Sequence, residues 1–328
     1  MEDLTELKKK FAISGVLGFE RTASGLVVAR VTAPAAEATI YLQGAHLTHW
    51  KPAGQAPAIF LSQRAEFLPG KPIRGGVPIV FPWFADRRNG KTGPQHGFAR
   101  ISEWELVSAA MAGPGSDPAL HLAFTLAPNE LSRSLGFDHF KLGYRMSIGH
   151  KLTLELGVQN DSGNGGARGG GPAAATAKDD QAAEGAPLVF EEALHAYYAV
   201  ADAQRVSIDG LGGTEYIDKV DGFKRKRQVP GPVTFQGRTD RPYLNTRATC
   251  VLHDPAGGRK ITVAKSGSNS TVVWNPWKEF TATMADMEPD AWLHMTAIET
   301  ANVGDNAVTL KAGETHTMRA EISIEKMA

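Results

Sequence analysis

Cysteine is almost missing from this chain. Cys250 stands alone among 328 residues. That excludes an intramolecular disulfide and fits a reducing compartment. Net charge is missing as well: 35 Lys and Arg balance 35 Asp and Glu. Nothing in that balance draws the whole chain to nucleic acid or to an anionic membrane, so any taste for anions must be local. No apolar run approaches the roughly 18 residues of a spanning helix. The start, MEDLTELKKKFA, lacks the apolar core of a secretory signal, and the ending, IEKMA, matches no simple retention or peroxisomal tail. A cytoplasmic protein with no membrane and no nucleic-acid partner is expected. Chemical signatures are missing too. There is no His-Glu-x-x-His, no Gly-x-Ser-x-Gly elbow and no Gly-Lys-Ser/Thr phosphate loop. His46 and His49 stand three apart without a third ligand at metal spacing. No metal and no cofactor are expected.

What is present is period-two alternation. Leu120, Leu122, Phe124 and Leu126 alternate with Ala119, His121, Ala123 and Thr125. Leu152, Leu154, Leu156 and Val158 repeat the pattern, and so does Tyr144, Met146 and Ile148. Strands are expected again over 188–200, 205–209, 232–236, 247–253, 259–265, 270–275, 293–299, 306–310 and 316–325. Long amphipathic helices are lacking; 3–11 reads as a short surface helix with Asp3 or Thr5 as cap. Many short strands separated by turns predict an all-β fold, a large antiparallel two-sheet sandwich. One domain over 1–328 and a monomer are expected. Residues 161–187, DSGNGGARGGGPAAATAKDDQAAEGAP, hold almost no large apolar side chain. They cannot bury enough surface to offset ordering entropy, and read as a flexible insertion between two strands.

The stretch 72–100, PIRGGVPIVFPWFADRRNGKTGPQHGFAR, has the composition of a loop-built pocket. It carries several arginines around a short apolar core, VPIVFPWF, punctuated by proline and glycine. An arginine fork matches phosphate or carboxylate oxygens. Phe81, Trp83, Phe84 and Phe98 offer rings of the kind on which a sugar face rests. Elsewhere, alternation in LVFEEALHAYYAV puts His195 on one face with Glu191, Ala193 and Tyr197. A satisfied structural histidine and a proton-transferring one both fit. Glu299, in LHMTAIETANVGD, shares a face with Met295 and Ala297, as an edge residue or a functional acid whose burial would raise its pKa. Asp240 in GRTDRPY reads first as turn chemistry. His96, beside Gln95 and Gly97, reads equally as a loop surface residue. The basic run Lys224–Arg227 reads as a solvated loop, and Trp274 and Trp277 as core first, with the wall of a sugar site as the other reading.

PIRGGVPIVFPWF with PQHGFAR, then EEALHAYY, TDRPY, VVWNPW and a late strand ending in glutamate, resembles the glucose-6-phosphate 1-epimerase branch of the aldose 1-epimerases. The resemblance spans about Val27 to Ile324. It implies a sandwich with a groove on one face, where α and β anomers of a hexose 6-phosphate interconvert. It implies His195 as catalytic acid and Glu299 as catalytic base. Arg74, Gln95, His96, Arg100 and Asp240 would bind substrate, the arginines serving the phosphate. Two features depart from the family pattern: Thr300 and Ala301 after the glutamate, and the 161–187 insertion. Within the same fold stand two alternatives, a mutarotase of unphosphorylated aldoses and a non-catalytic carbohydrate-binding sandwich.

Overall fold

A computed structural model of the protein describes residues 3–113, 118–163 and 185–327. Two eight-stranded sheets dominate it, with every strand pair antiparallel. The outer sheet runs Ser207–Asp209, Cys250–Asp254, Arg259–Ser266, Thr315–Lys326, Leu152–Asn160, Phe140–Ile148, Ala119–Leu126, Glu105–Ala112. The inner sheet runs Lys224–Arg227, Glu215–Asp218, Thr239–Tyr243, Ser270–Asn275, Met295–Asn302, Glu192–Leu194, Ile79–Val80. Tyr197–Ala199 also pairs with Met295–Asn302. A four-stranded sheet is built from Leu17–Arg21 through His46–Pro52, and Leu188–Phe190 pairs with Val308–Leu310. The expected large antiparallel sandwich is what forms.

Alternation explains how the sheets stack. In Phe140–Ile148, Phe140, Leu142, Tyr144, Met146 and Ile148 are buried while their neighbours face outward. Each large apolar side chain buried this way contributes about 1.5–3 kcal/mol before entropy is subtracted. The inner strands differ, because Ser270–Asn275 and Met295–Asn302 are buried at every position. One face of Met295–Asn302 sends Ile298 into the main core. The other face carries Met295, Ala297, Glu299 and Ala301. Ala297 joins a satellite cluster with Tyr197, Trp274 and Met295, and Ala301 joins another with Val80, Phe84 and Ala193. A strand buried on both faces, with a carboxylate on one of them, marks a groove floor rather than a solvated surface.

Several local expectations change. The 188–200 run is three short strands, Leu188–Phe190, Glu192–Leu194 and Tyr197–Ala199. No strand covers 232–236; only Val233 forms a bridge, to Ile208. Lys224–Arg227 is an edge strand paired with Glu215–Asp218, not a loop, although it stays largely solvated. Among the four rings of 72–100, Phe81 and Phe98 point into the main core, and Trp83 packs against Phe98 and Phe137. Only Phe84 of that set reaches the groove. The helix Leu4–Phe11 forms as expected, with the Asp3 carboxylate accepting from the Thr5 N–H at 2.9 Å. No described helix is long and apolar enough to cross a membrane.

Most of the 161–187 expectation lies outside the described residues. Its two feet are fastened together, however. The Gly185 N–H donates to the Ser162 carbonyl, and Ser162 Oγ and Asn160 Nδ2 both donate to the Ala186 carbonyl. Chain ends held this close need no long connection, and loop length costs only about 0.6 kcal/mol per doubling. Deleting 164–184 and joining Gly163 to Gly185 is therefore expected to leave one cooperative unfolding transition, within about 3 °C of the parent. Calorimetry checks this; loss of cooperativity would contradict it.

Candidate functional site

The centre of the groove is one cross-strand pair. Leu194 lies opposite Thr300, and Tyr197 opposite Ala297. By that register His195 faces Glu299, though 104 residues separate them in the chain (299 − 195). The ladder is interrupted there only in part: the Ala196 N–H turns back to the Leu194 carbonyl, while the His195 N–H still donates to the Pro78 carbonyl and the Ile298 N–H to the Ala196 carbonyl. The side chains meet with His195 Nε2 at 3.4 Å from Glu299 Oε1. Ala297 and Ala301, two residues either side of Glu299, are packed into the satellite apolar clusters, and Glu299 itself lines the groove with 1% of its side chain exposed. His195 Nδ1 and Glu299 Oε2 are both buried without a hydrogen-bond partner. Buried polar atoms are normally satisfied, so these two are exceptions at the floor of the groove.

Aromatic rings hold the histidine. Tyr197 stacks on it at 4.7 Å and 9°, and Trp274 meets it edge-on at 6.1 Å. Trp274 meets both readings of it, buried in an apolar cluster and lining the groove. Burial pushes His195 well below its ordinary value, and the nearby positive charges of Arg100 and Arg74 push the same way. Burial pushes Glu299 well above the ordinary carboxylate value, and Asp240 adds to the rise. Lys219 and Arg100 act on Glu299 in the opposite direction. Both dominant directions favour uncharged members, so the pair holds one acidic proton between two close bases. Moving that proton from Glu299 to His195 changes no proton count, which is the arrangement a reversible proton relay requires.

The walls come from the loops that sequence composition singled out. Arg74 lines the groove; its Nε donates to Asp286 at 3.0 Å and its Nη1 to the Tyr197 hydroxyl at 3.2 Å. The following Gly75 has φ +105°, and a Cβ there would overlap the Phe60 carbonyl oxygen at 2.6 Å. Only glycine lets the Arg74 loop lie this close to its neighbour. The Gly75 carbonyl is held in turn by buried His46 Nε2 at 2.9 Å, which gives that histidine a structural task. Gln95 and His96 also line the groove. His96 is not a surface residue. Its Nδ1 accepts from the Ala85 N–H at 3.2 Å, so the neutral ring carries its proton on Nε2. Burial, together with nearby Arg100 and the His195 ring, holds His96 well below its ordinary value. Gly97, at φ +74°, packs against the Phe81 carbonyl where no side chain fits.

Arg100 stands behind this wall. It is 8% exposed, and its Nη2 donates to the Gln95 carbonyl at 2.7 Å. Desolvation lowers its pKa to about 10. Asp240 lies in the strand Thr239–Tyr243 opposite Trp274, not in a turn, and its carboxylate pairs with Lys219 at 3.0 Å. Residue-level reading missed Lys219, Arg238 and Phe280, all of which line the groove. Glu191 was legible by alternation with His195. It accepts from the Phe84 and Gly304 N–H groups and from Arg88, fastening three segments at the rim. The enclosed space is about 640 Å³, within the usual range for small-molecule sites.

The aldose 1-epimerase family pattern matches residues 28–164 and 176–323, its break falling inside the 161–187 segment. The chain belongs to the aldose 1-epimerase family. It is accordingly an epimerase, an enzyme of the isomerase class. A Salmonella typhimurium protein named "putative glucose-6-phosphate 1-epimerase" is 34% identical over 267 residues, covering 81% of this chain and 80% of its own. An Escherichia coli protein of the same name is 32% identical, covering 94% and 96%. A crystal structure from Salmonella typhimurium, described as a putative mutarotase, superposes with a TM-score of 0.82 at 29% identity, covering 98% and 99%. A galactose 1-epimerase from Lactobacillus acidophilus shares the fold at 13% identity and a TM-score of 0.58.

Glu299 tests the electrostatics of this aldose 1-epimerase groove without any substrate. Its folded pKa lies above the unfolded value near 4.5. Between those values the folded state binds the extra proton, so stability falls as pH rises through that window. Glu299→Gln removes the penalty. It is expected to melt about 1–3 °C above the parent at pH 7.5, with the gap closing near pH 4. A lower melting temperature at pH 7.5 would contradict a carboxyl held against its ordinary ionisation.

Proposed function

We propose that this protein is a hexose-6-phosphate mutarotase that interconverts the α and β anomers of glucose 6-phosphate. The observation that carries the reading is the His195–Glu299 separation of 3.4 Å at the groove floor. Anomer exchange needs an acid and a base that reach two oxygens on one carbon: O1 and the ring oxygen are both bonded to C1. A close pair suits that demand better than two groups set on opposite sides of a ligand.

In the forward direction Glu299 takes the O1 proton while His195 gives its proton to the ring oxygen, and the C1–ring-oxygen bond breaks. The result is an open-chain aldehyde, with the pair's proton moved from His195 to Glu299. Rotation about C1–C2 turns the other face of the carbonyl toward the hydroxyl. Closure returns both protons with the roles exchanged, giving the other anomer and the original pair. Lys219 and Arg100 favour the ionised Glu299 that this direction requires. Arg74, Gln95, His96 and Asp240 would fix the sugar through its hydroxyls, His96 by the N–H on Nε2. Arg100 would act through Gln95 and through its charge. The phosphate preference is supported by the cations around the groove and by the names of the relatives. Free aldoses remain the second reading, because the proton chemistry at C1 needs no phosphate.

General acid and base assistance contributes about 10²–10⁴-fold. His195→Ala and Glu299→Gln are each expected to lower anomer exchange of glucose 6-phosphate by that factor while substrate still binds. Exchange-transfer NMR measures the rate, and line broadening of the phosphate resonance measures binding. Wild-type rates in either variant would overturn the assignment of the pair.

A further inference from the structure

Behind the groove floor lies a polar cluster that the proton chemistry does not use. Glu192 and Asn302 face each other on the strands that lead to His195 and carry Glu299, and both are fully buried. Each stands three residues from its member of the pair (195 − 192 and 302 − 299), so by alternation its side chain leaves the other face of the sheet. Glu192 Oε1 accepts from Asn302 Nδ2 at 2.8 Å and lies 3.0 Å from His316 Nε2. His316 belongs to Thr315–Lys326, so this single oxygen joins two strands of the inner sheet to a strand of the outer one. The hydrogen bond to Glu192 raises His316 above its ordinary value, against the effect of burial. Asn302 is fastened further: its Nδ2 also donates to the Gly267 carbonyl and its Oδ1 accepts from the Asn269 N–H, both at 2.8 Å.

Stability alone does not account for a charge in this place. Glu192 Oε2 is buried without a hydrogen-bond partner, and apolar side chains of the same volume often serve a core better than a buried ion pair. What such a cluster does supply is register. Register is what the groove depends on. Glu192–Leu194 makes three ladder pairs with its neighbour: Glu192 with Asn302, Ala193 with Ala301 and Leu194 with Thr300. The Ala196 N–H then turns back to the Leu194 carbonyl, and pairing resumes at Tyr197 opposite Ala297. In so short a ladder a slip of one residue would carry His195 to the wrong face. The Glu192–Asn302 bond forms only in the observed register. One step either way, the carboxylate would stand opposite Ala301 or Val303, whose side chains donate nothing.

We infer that Glu192, Asn302 and His316 are positioning residues that hold His195 opposite Glu299 from behind the floor, and so set the rate of anomer exchange rather than the affinity for sugar. The claim about rate rests on the mutarotase reading above; the claim about the His195 ring does not. None of the three lines the groove, so they reach the substrate only through the strands that carry the pair.

The test compares wild type, Glu192→Ala, Glu192→Gln, His316→Leu and the double variant Glu192→Gln with His316→Leu, all below their melting temperatures. Exchange NMR with glucose 6-phosphate gives kcat and KM. Ring resonances of ¹⁵N-histidine protein, assigned with His195→Ala, report the surroundings of His195. Glu192→Ala is expected to lower kcat about 10-fold with KM within about 2-fold, and to shift the His195 resonances. Glu192→Gln keeps an acceptor oxygen and stays within about 2-fold of wild type in kcat. His316→Leu strands the buried charge of Glu192 and lowers kcat about 5-fold; adding Glu192→Gln removes that charge and restores most of the rate. If Glu192→Ala keeps the wild-type kcat and His195 resonances, the inference fails while the mutarotase reading stands. Losses that add in the double variant, or that fall on KM as heavily as on kcat, would also overturn it. Should Glu192→Ala not fold, His316→Leu and its rescue decide. Absence of exchange in wild type sinks the mutarotase reading, and unshifted His195 resonances in both Glu192→Ala and His316→Leu sink this inference whether or not exchange is seen.

Discussion

A carboxyl and an imidazole brought face to face on adjacent strands, out of water, cannot both ionise independently. That constraint organises the groove. Glu299 is buried on a strand covered on both faces, and His195 is stacked flat against Tyr197. Burial moves their affinities for a proton in opposite directions, up for the acid and down for the base. The consequence is a pair that shares one proton over a broad pH range. Protonating both members or stripping both requires leaving that range on one side or the other. The surroundings tune the balance: Asp240 holds the proton on Glu299, while Lys219 and Arg100 draw the carboxylate toward ionisation.

Much of the framework exists to keep that pair in register. The two satellite apolar clusters flank Glu299 along its own strand and exclude water on both sides. Behind His96, Arg100 ties down Gln95, and behind Arg74, His46 ties down the Gly75 carbonyl. These buried polar contacts make loops behave as rigid walls. The sheets supply the floor, and the 72–100 segment supplies a wall whose conformation depends on Gly75 and Gly97 occupying the left-handed region.

The sandwich was legible because period-two alternation survives in strands with one solvated face, such as Phe140–Ile148. It was less legible in the inner sheet. Strands buried on both faces lose the alternation, and short pieces such as Ile79–Val80 carry no period at all. His195 and Glu299 each fitted a bland reading on local pattern, since nothing nearby in sequence tells either residue that the other lies opposite. Asp240 was read as turn chemistry because TDRPY has turn composition; its strand is set by pairing with Trp274, 34 residues later (274 − 240). Phe81 and Phe98 were misdirected for a related reason: composition gives the ring but not the side of the chain from which it leaves. Lys219 and Arg238 carry no local signal, and their meaning comes only from which charges they meet.

The most direct measurement is saturation-transfer NMR on wild-type enzyme with equilibrated anomers of glucose 6-phosphate and, separately, of glucose. The account predicts exchange of the phosphorylated sugar in proportion to enzyme concentration, well above the spontaneous rate, with glucose far slower at equal concentration. No acceleration for glucose 6-phosphate, or faster exchange of the unphosphorylated sugar, would contradict it.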